Sequence, residues 1–206
     1  MGTRDLTPHR RVIDVSKLPN VVFAHHSLLW WGTMGLALIE GMFLAILIGA
    51  YFFLRTRVVE WPPGILPPYL LWGTLNTMLI LVSLAPNATV KKAARKGELR
   101  KVRIGLLIMC AIGLLALLIR AFEFPSLGVR WDANAYGTAA WVLLGFHTTH
   151  LITDWIDTIV LTVLMFTDKV EGKRYMDCYE NADYWYFVIL IWIPVFLVTY
   201  IAPRLL

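Results

Sequence analysis

The sequence predicts an all-α integral membrane protein: a bundle of five transmembrane helices with its N-terminus inside and its C-terminus outside. Three observations predict it. Five apolar runs are long enough to cross a bilayer, the chain is 58% hydrophobic and only 16% charged, and its lysines and arginines gather between the runs on one side. The mean hydropathy of +0.64 agrees. A helix rises about 1.5 Å per residue and a hydrocarbon core is about 30 Å thick, so roughly 20 apolar residues suffice to span it.

The first run, 28–54, holds a single charge, Glu40, and predicts a helix over about 27–55. The second, 69–90, has no charge and predicts a helix over 68–90. In the third only 104–119 is free of charge, but Arg103 and Arg120 can snorkel to the interfaces, which extends the helix to 102–123. The fourth, 135–166, is the most polar and carries His147, His150, Asp154 and Asp157. The fifth, 183–203, runs between Asp183 and Arg204 with Pro194 expected to kink it. Residues 1–26 are polar and read as a cytoplasmic tail; the apolar run after them is too long for a cleavable signal.

Orientation follows from basic residues, which resist translocation. The tail carries Arg4, Arg10, Arg11 and Lys17, the segment 91–103 carries seven, and Lys169, Lys173 and Arg174 add three, so fourteen of the nineteen lie on one side. Trp30, Trp31, Trp61 and Trp131 fall near helix ends, as interfacial belts require. The formal charge of +5 is therefore read as topology, not as nucleic-acid binding. Cys110 and Cys178, the latter in a polar loop, form no metal or haem-attachment motif. The sequon at Asn87 faces inward on this topology and is discounted.

Glu40 is the first candidate for chemistry. A bare carboxylate at mid-membrane is costly, so it must be protonated, paired or turned to a polar cavity, or else serve packing as a neutral hydrogen-bonded acid. His147, His150, Asp154 and Asp157 recur at intervals of three, four and three, which puts them on one helical face turned away from lipid. Two histidines and a carboxylate make a partial metal-ligand set, but other spans supply no ligands beyond Cys110, so an interhelical hydrogen-bond network is favoured and no metal is assigned. Arg120 and Glu123, three apart, suit a local ion pair or a partner for a neighbouring histidine. No nucleophile with its base and no phosphate-binding loop is present, so the chain offers no catalytic centre of its own.

Several stretches together resemble subunit III of cytochrome c oxidase, the haem-copper respiratory oxidase family. Leu38-Ile39-Glu40-Gly41-Met42-Phe43 is similar to the segment around that family's membrane-buried glutamate. Trp61-Pro62-Pro63, Leu75-Asn76-Thr77 and Arg120-Ala121-Phe122-Glu123-Phe124 resemble its outer loop, its next helix start and its helix-end glutamate. Tyr136-Gly137 and Gly145-Phe146-His147-Thr148-Thr149-His150 resemble its Tyr-Gly and Gly-Phe-His-x-x-His patterns, and Tyr184-Trp185-Tyr186-Phe187-Val188 with Trp192 its last helix. They stand in the right order over about residues 30–202. The departures are Tyr186 and Ile189, where the family has histidine and aspartate, and the extra acids Asp154 and Asp157.

The resemblance implies a short five-helix bacterial form, lacking the first two of the family's seven helices, in a bacterial inner (plasma) membrane. It implies an accessory subunit with no redox centre, packed on the catalytic subunit I and associated with subunit II and phospholipids. Haem and copper would sit in those partners, and no cofactor in this chain. The complex would be a proton-pumping terminal oxidase of aerobic respiration using cytochrome c. By carry-over, Glu40 would be a proton-linked or structural acid, Glu123, His147 and His150 an interhelical polar network, and Asp154 and Asp157 contacts to a partner subunit. A quinol oxidase subunit or the accessory protein of nitric oxide reductase shares the resemblance. From other classes, a stand-alone transporter would use Glu40 and the fourth-helix stripe, although no internal repeat supports it, and a membrane metalloenzyme would need a fuller ligand set.

Overall fold

The computed structural model describes residues 22–167 and 172–205; the expectations for Arg4, Arg10, Arg11, Lys17 and Lys169 lie outside the described residues. Among the described residues every regular element is helical. Helix α1 is Leu28–Arg55, α2 Leu70–Val82, α3 Leu84–Lys96, α4 Leu99–Ser126, α5 Ala135–Met165 and α6 Gly172–Phe196. A five-residue π turn, Leu197–Ile201, leads from α6 into α7, Ala202–Leu205.

Helices α2 and α3 make one rod, as do α6 and α7, so the expected count of five fits. Four rods, Leu28–Arg55, Leu70–Lys96, Leu99–Ser126 and Gly172–Leu205, are long and apolar enough to cross a membrane. Helix α5 is the longest single helix at 31 residues, and it turns its polar stripe inward among the others. It packs against α1, α4 and α6, while α6 also meets α1, α2 and α3. Helix α1 packs chiefly against α5 and α6 among the long helices, which leaves most of its apolar surface exposed.

Local chemistry sets the ends. Ser27 accepts the Leu29 N–H at 3.1 Å and Asn134 the Gly137 N–H at 2.8 Å, each satisfying a donor that the first helical turn would leave bare. Helix α3 stops at Gly97, whose φ of +69° suits a residue without a side chain, and the Gly97 and Glu98 amides return to Ala94 and Ala93. The chain then reverses at once into α4.

Several expectations are corrected here. The second rod runs to Lys96 and the last one starts at Gly172, both beyond their predicted limits of 90 and 183. Their extensions are polar in composition but packed. Asn87, 2% exposed, donates to the Ala182 carbonyl at 2.9 Å, Lys91 pairs with Asp183 while facing the Tyr179 and Tyr186 rings, and Cys178 is buried in helix instead of lying in a loop. Arg120 does not snorkel. It is 1% exposed because Glu123, one turn on, supplies a counter-charge inside the bundle, whereas Arg103 does reach an end, where its Nε donates to the Met165 carbonyl at 2.7 Å. Trp61, expected near an interface, is buried in an aromatic cluster with Tyr51 and Tyr136, at centroid distances of 5.2 and 5.1 Å.

Glycines let the rods approach where a Cβ would not fit. A Cβ on Gly105 would lie 2.4 Å from Val90 Cγ2, and one on Gly113 2.5 Å from Trp155 Cδ1. The Trp155 ring cannot swing away freely, since its indole N–H donates to the Cys110 carbonyl at 2.9 Å. Gly113→Ala is therefore expected to cost about 1–3 kcal/mol, as overpacking does, read as a lower unfolding temperature of the purified protein in detergent.

Candidate functional site

Two buried polar groups lie on the inward faces of the rods. The first is centred on Glu123 at the Ser126 end of α4. Its Oε2 lies 2.8 Å from Arg120 Nη1 and accepts from Asn76 Nδ2 at 3.1 Å, while Oε1 accepts from the Tyr200 hydroxyl at 2.6 Å. Arg120 and Glu123 have side chains only 2% and 0% exposed, so this is an ion pair removed from solvent. Arg120 Nη2 lies 2.9 Å from His147 Nδ1, and His147 Nε2 lies 3.1 Å from the Val188 carbonyl. A guanidinium can only donate and a carbonyl only accept, so His147 is a neutral imidazole with its proton on Nε2. The guanidinium lies over the Trp192 ring, 4.2 Å from its centroid, and the indole N–H donates to Thr77 at 2.8 Å. Four rods thus meet at one cation.

Tyr200 reaches Glu123 from the π turn. Pro194 has no N–H to offer the preceding turn, and the helix widens just beyond it over Leu197–Ile201. The expected disturbance at Pro194 takes this form. Arg204 donates to the carbonyls of Tyr200 and Pro68, which ties the end of the last rod to the start of the second. Tyr200→Phe removes one donor from a buried carboxylate, and a loss of about 1–3 kcal/mol is expected, measured by thermal unfolding; the Phe ring still fills the space against Gly73.

The second group is centred on Glu40. Its Oε1 lies 3.3 Å from His150 Nε2, and its Oε2 accepts from the Tyr184 hydroxyl at 3.0 Å. His150 Nδ1 lies 2.7 Å from the Phe146 carbonyl and must carry hydrogen to bond it. The other ring nitrogen, Nε2, is then the one that faces the Glu40 carboxyl group.

The structure thus divides residues that the sequence grouped. Glu123 and His147 are joined through Arg120, but His150 turns to Glu40 and not to that network. Helical periodicity places His147 and His150 on one face without saying which neighbouring rod each meets. Asp154 is 3% exposed, whereas Asp157 opens into a groove between α1, α5 and α6, so the stripe is not wholly covered. Of the two departures from the family's pattern, Ile189 is packed in the core and Tyr186 faces Lys91. Among the described residues no group of three or more His, Cys, Asp or Glu side chains is placed to hold a metal ion.

The sequence profile of the family described as Cytochrome c oxidase subunit III matches residues 58–203. A relative from Thermostichus vulcanus named "Cytochrome c oxidase subunit 3" is 26% identical over 169 residues, covering 80% of this chain and 83% of its own. One from Mycobacterium tuberculosis, named "Probable cytochrome c oxidase subunit 3", is 30% identical over 168 residues, covering 78% of this chain and 81% of its own. An Aeropyrum pernix protein named "Heme-copper oxidase subunit I+III" is 26% identical over 166 residues, which are 76% of this chain and 20% of that one. The matched range covers well over half of the chain, which therefore belongs to the cytochrome c oxidase subunit III family.

Proposed function

We propose that this protein is an accessory, non-redox subunit of a proton-pumping haem-copper terminal oxidase in aerobic respiration, which stabilises the catalytic subunit and supports proton uptake. The observation that carries the reading is the family match over residues 58–203, which takes in all five members of the Arg120–Glu123 network. The Aeropyrum relative, whose name joins subunits I and III in one chain, supports a direct contact with the catalytic subunit. Haem and copper then belong to partners, subunits I and II, and phospholipids fill the exposed apolar faces. The distribution of lysine and arginine supports a cytoplasmic tail over 1–26 and an external C-terminus, and the short five-helix form supports a bacterial inner membrane.

In this reading the Arg120–Glu123–His147 network is structural, holding four rods in register. The Glu40 carboxyl group, between His150 and Tyr184, is the acid assigned to proton uptake. Continuous oxygen consumption by membranes with and without this chain tests the proposal. Loss of the chain should leave the initial rate of oxygen reduction largely intact and hasten its decline over successive turnovers. Unchanged oxygen consumption throughout the time course would contradict it.

A further inference from the structure

The groove between α1, α5 and α6 holds more acid than the Glu40–His150 pair uses. It has a volume of about 650 Å³ and is lined by Glu40, Asp154, Asp157, Asp177 and Glu180, of which Asp177 lies 3.9 Å from Arg174 Nη1; no lysine or arginine is among its lining residues. Asp154 and Glu180 are only 3% and 4% exposed, yet Asp154 Oδ1 and both carboxyl oxygens of Glu180 have no hydrogen-bond partner among the described residues. Lys91, on α3, is engaged by Asp183. Two buried acids of this kind, inside a membrane bundle, call for either a proton each or a cation.

The surroundings narrow the choice of cation. No three ligating side chains among the described residues stand close enough to hold a metal ion. The rim is apolar and open, with Leu36 and Val160 each 48% exposed. Glu40 lies twelve residues into α1 and Asp154 eleven from the end of α5, about 17–18 Å along each helix. The acids therefore extend to mid-membrane, deeper than a lipid headgroup sits. An apolar rim over an acidic floor at that depth is complementary to a helix that is apolar except for one or two basic residues.

We propose that this groove receives a transmembrane helix of a partner protein bearing lysine or arginine at the depth of Asp154 and Glu180, with its apolar residues against Leu36 and Val160. This helix would belong to the assembly proposed above and in that respect rests on the oxidase reading, but its partner need not itself hold haem.

The test places a photocrosslinking amino acid at Val160 of the full chain, expressed in the membranes of its source organism. The expected product is a crosslink to one membrane-spanning segment with lysine or arginine within two turns of the attachment point. Asp154→Asn with Glu180→Gln should lower its yield at least tenfold while the amount of chain in the membrane stays constant. If the double variant fails to accumulate, the crosslinked peptide of the unaltered groove still decides. A segment without a basic residue, crosslinks to lipid alone, or saturable Ca²⁺ binding to the purified chain that the double variant abolishes would each overturn the proposal. Co-purification of haem with a groove crosslinked to a non-basic segment would sink this inference and leave the oxidase reading standing; a basic segment crosslinked in a preparation from which no haem-bearing subunit co-purifies would do the reverse.

Discussion

Arg120→Met lowers the stability of the folded bundle by about 3–5 kcal/mol, the range expected when one member of a buried ion pair is removed. Methionine replaces the volume of the side chain but leaves Glu123 as a carboxylate that is 0% exposed, with only the Asn76 amide and the Tyr200 hydroxyl to satisfy it. It also strips His147 Nδ1 of its donor and the Trp192 ring of its cation. The cost therefore comes chiefly from the stranded carboxylate charge and less from weakened packing. A double variant, Arg120→Met with Glu123→Gln, should recover much of the stability, because the glutamine amide still accepts from Tyr200 and carries no charge. Thermal unfolding of the purified protein in detergent, run as a double-mutant cycle, reads the coupling between the two residues directly. Additive effects would show that the pair is not a unit.

Trp192→Ala is the second large effect, about 3–5 kcal/mol, as for other large aromatic side chains deleted from packed cores. Trp192 is 1% exposed, with the Arg120 guanidinium over its ring and the His147 ring at a centroid distance of 4.6 Å. Its indole N–H also bonds Thr77, so the truncation loosens α2, α4, α5 and α6 together. Trp192→Phe separates the two parts of that effect: it keeps a ring beneath Arg120 but removes the Thr77 bond and some volume, and should cost less than half as much. The same thermal measurement applies, and equal destabilisation by the two variants would show that the hydrogen bond, not the packing, dominates.

These effects are visible in the sequence to different degrees. Runs such as 104–119 announce a membrane helix by hydropathy alone, because a span needs only length and apolarity. Helix ends are harder, since Asn87, Lys91, Asp183 and Glu180 are polar in kind yet packed inside, and hydropathy does not distinguish a polar residue that has found a partner from one in solvent. The Arg120–Glu123 pair is readable because its members are one turn apart. Their other partners, Asn76 and Tyr200, lie 47 and 77 residues from Glu123, and only the assembled bundle brings them together. The Glu40–Tyr184 bond spans 144 residues and is unreadable for the same reason. Asp177 and Glu180 do not stand out in the sequence because the polar segment before Asp183 has the composition of a loop, which also hides the acidic floor of the groove.

The oxidase reading is tested most directly by tagging this chain in its source organism, extracting aerobically grown membranes in mild detergent, and recording the reduced-minus-oxidised haem spectrum of the purified material. The chain should elute in fixed ratio with larger membrane subunits that carry haem and copper, in a complex that reduces oxygen. A well-folded chain that elutes without any haem-bearing partner would contradict that reading.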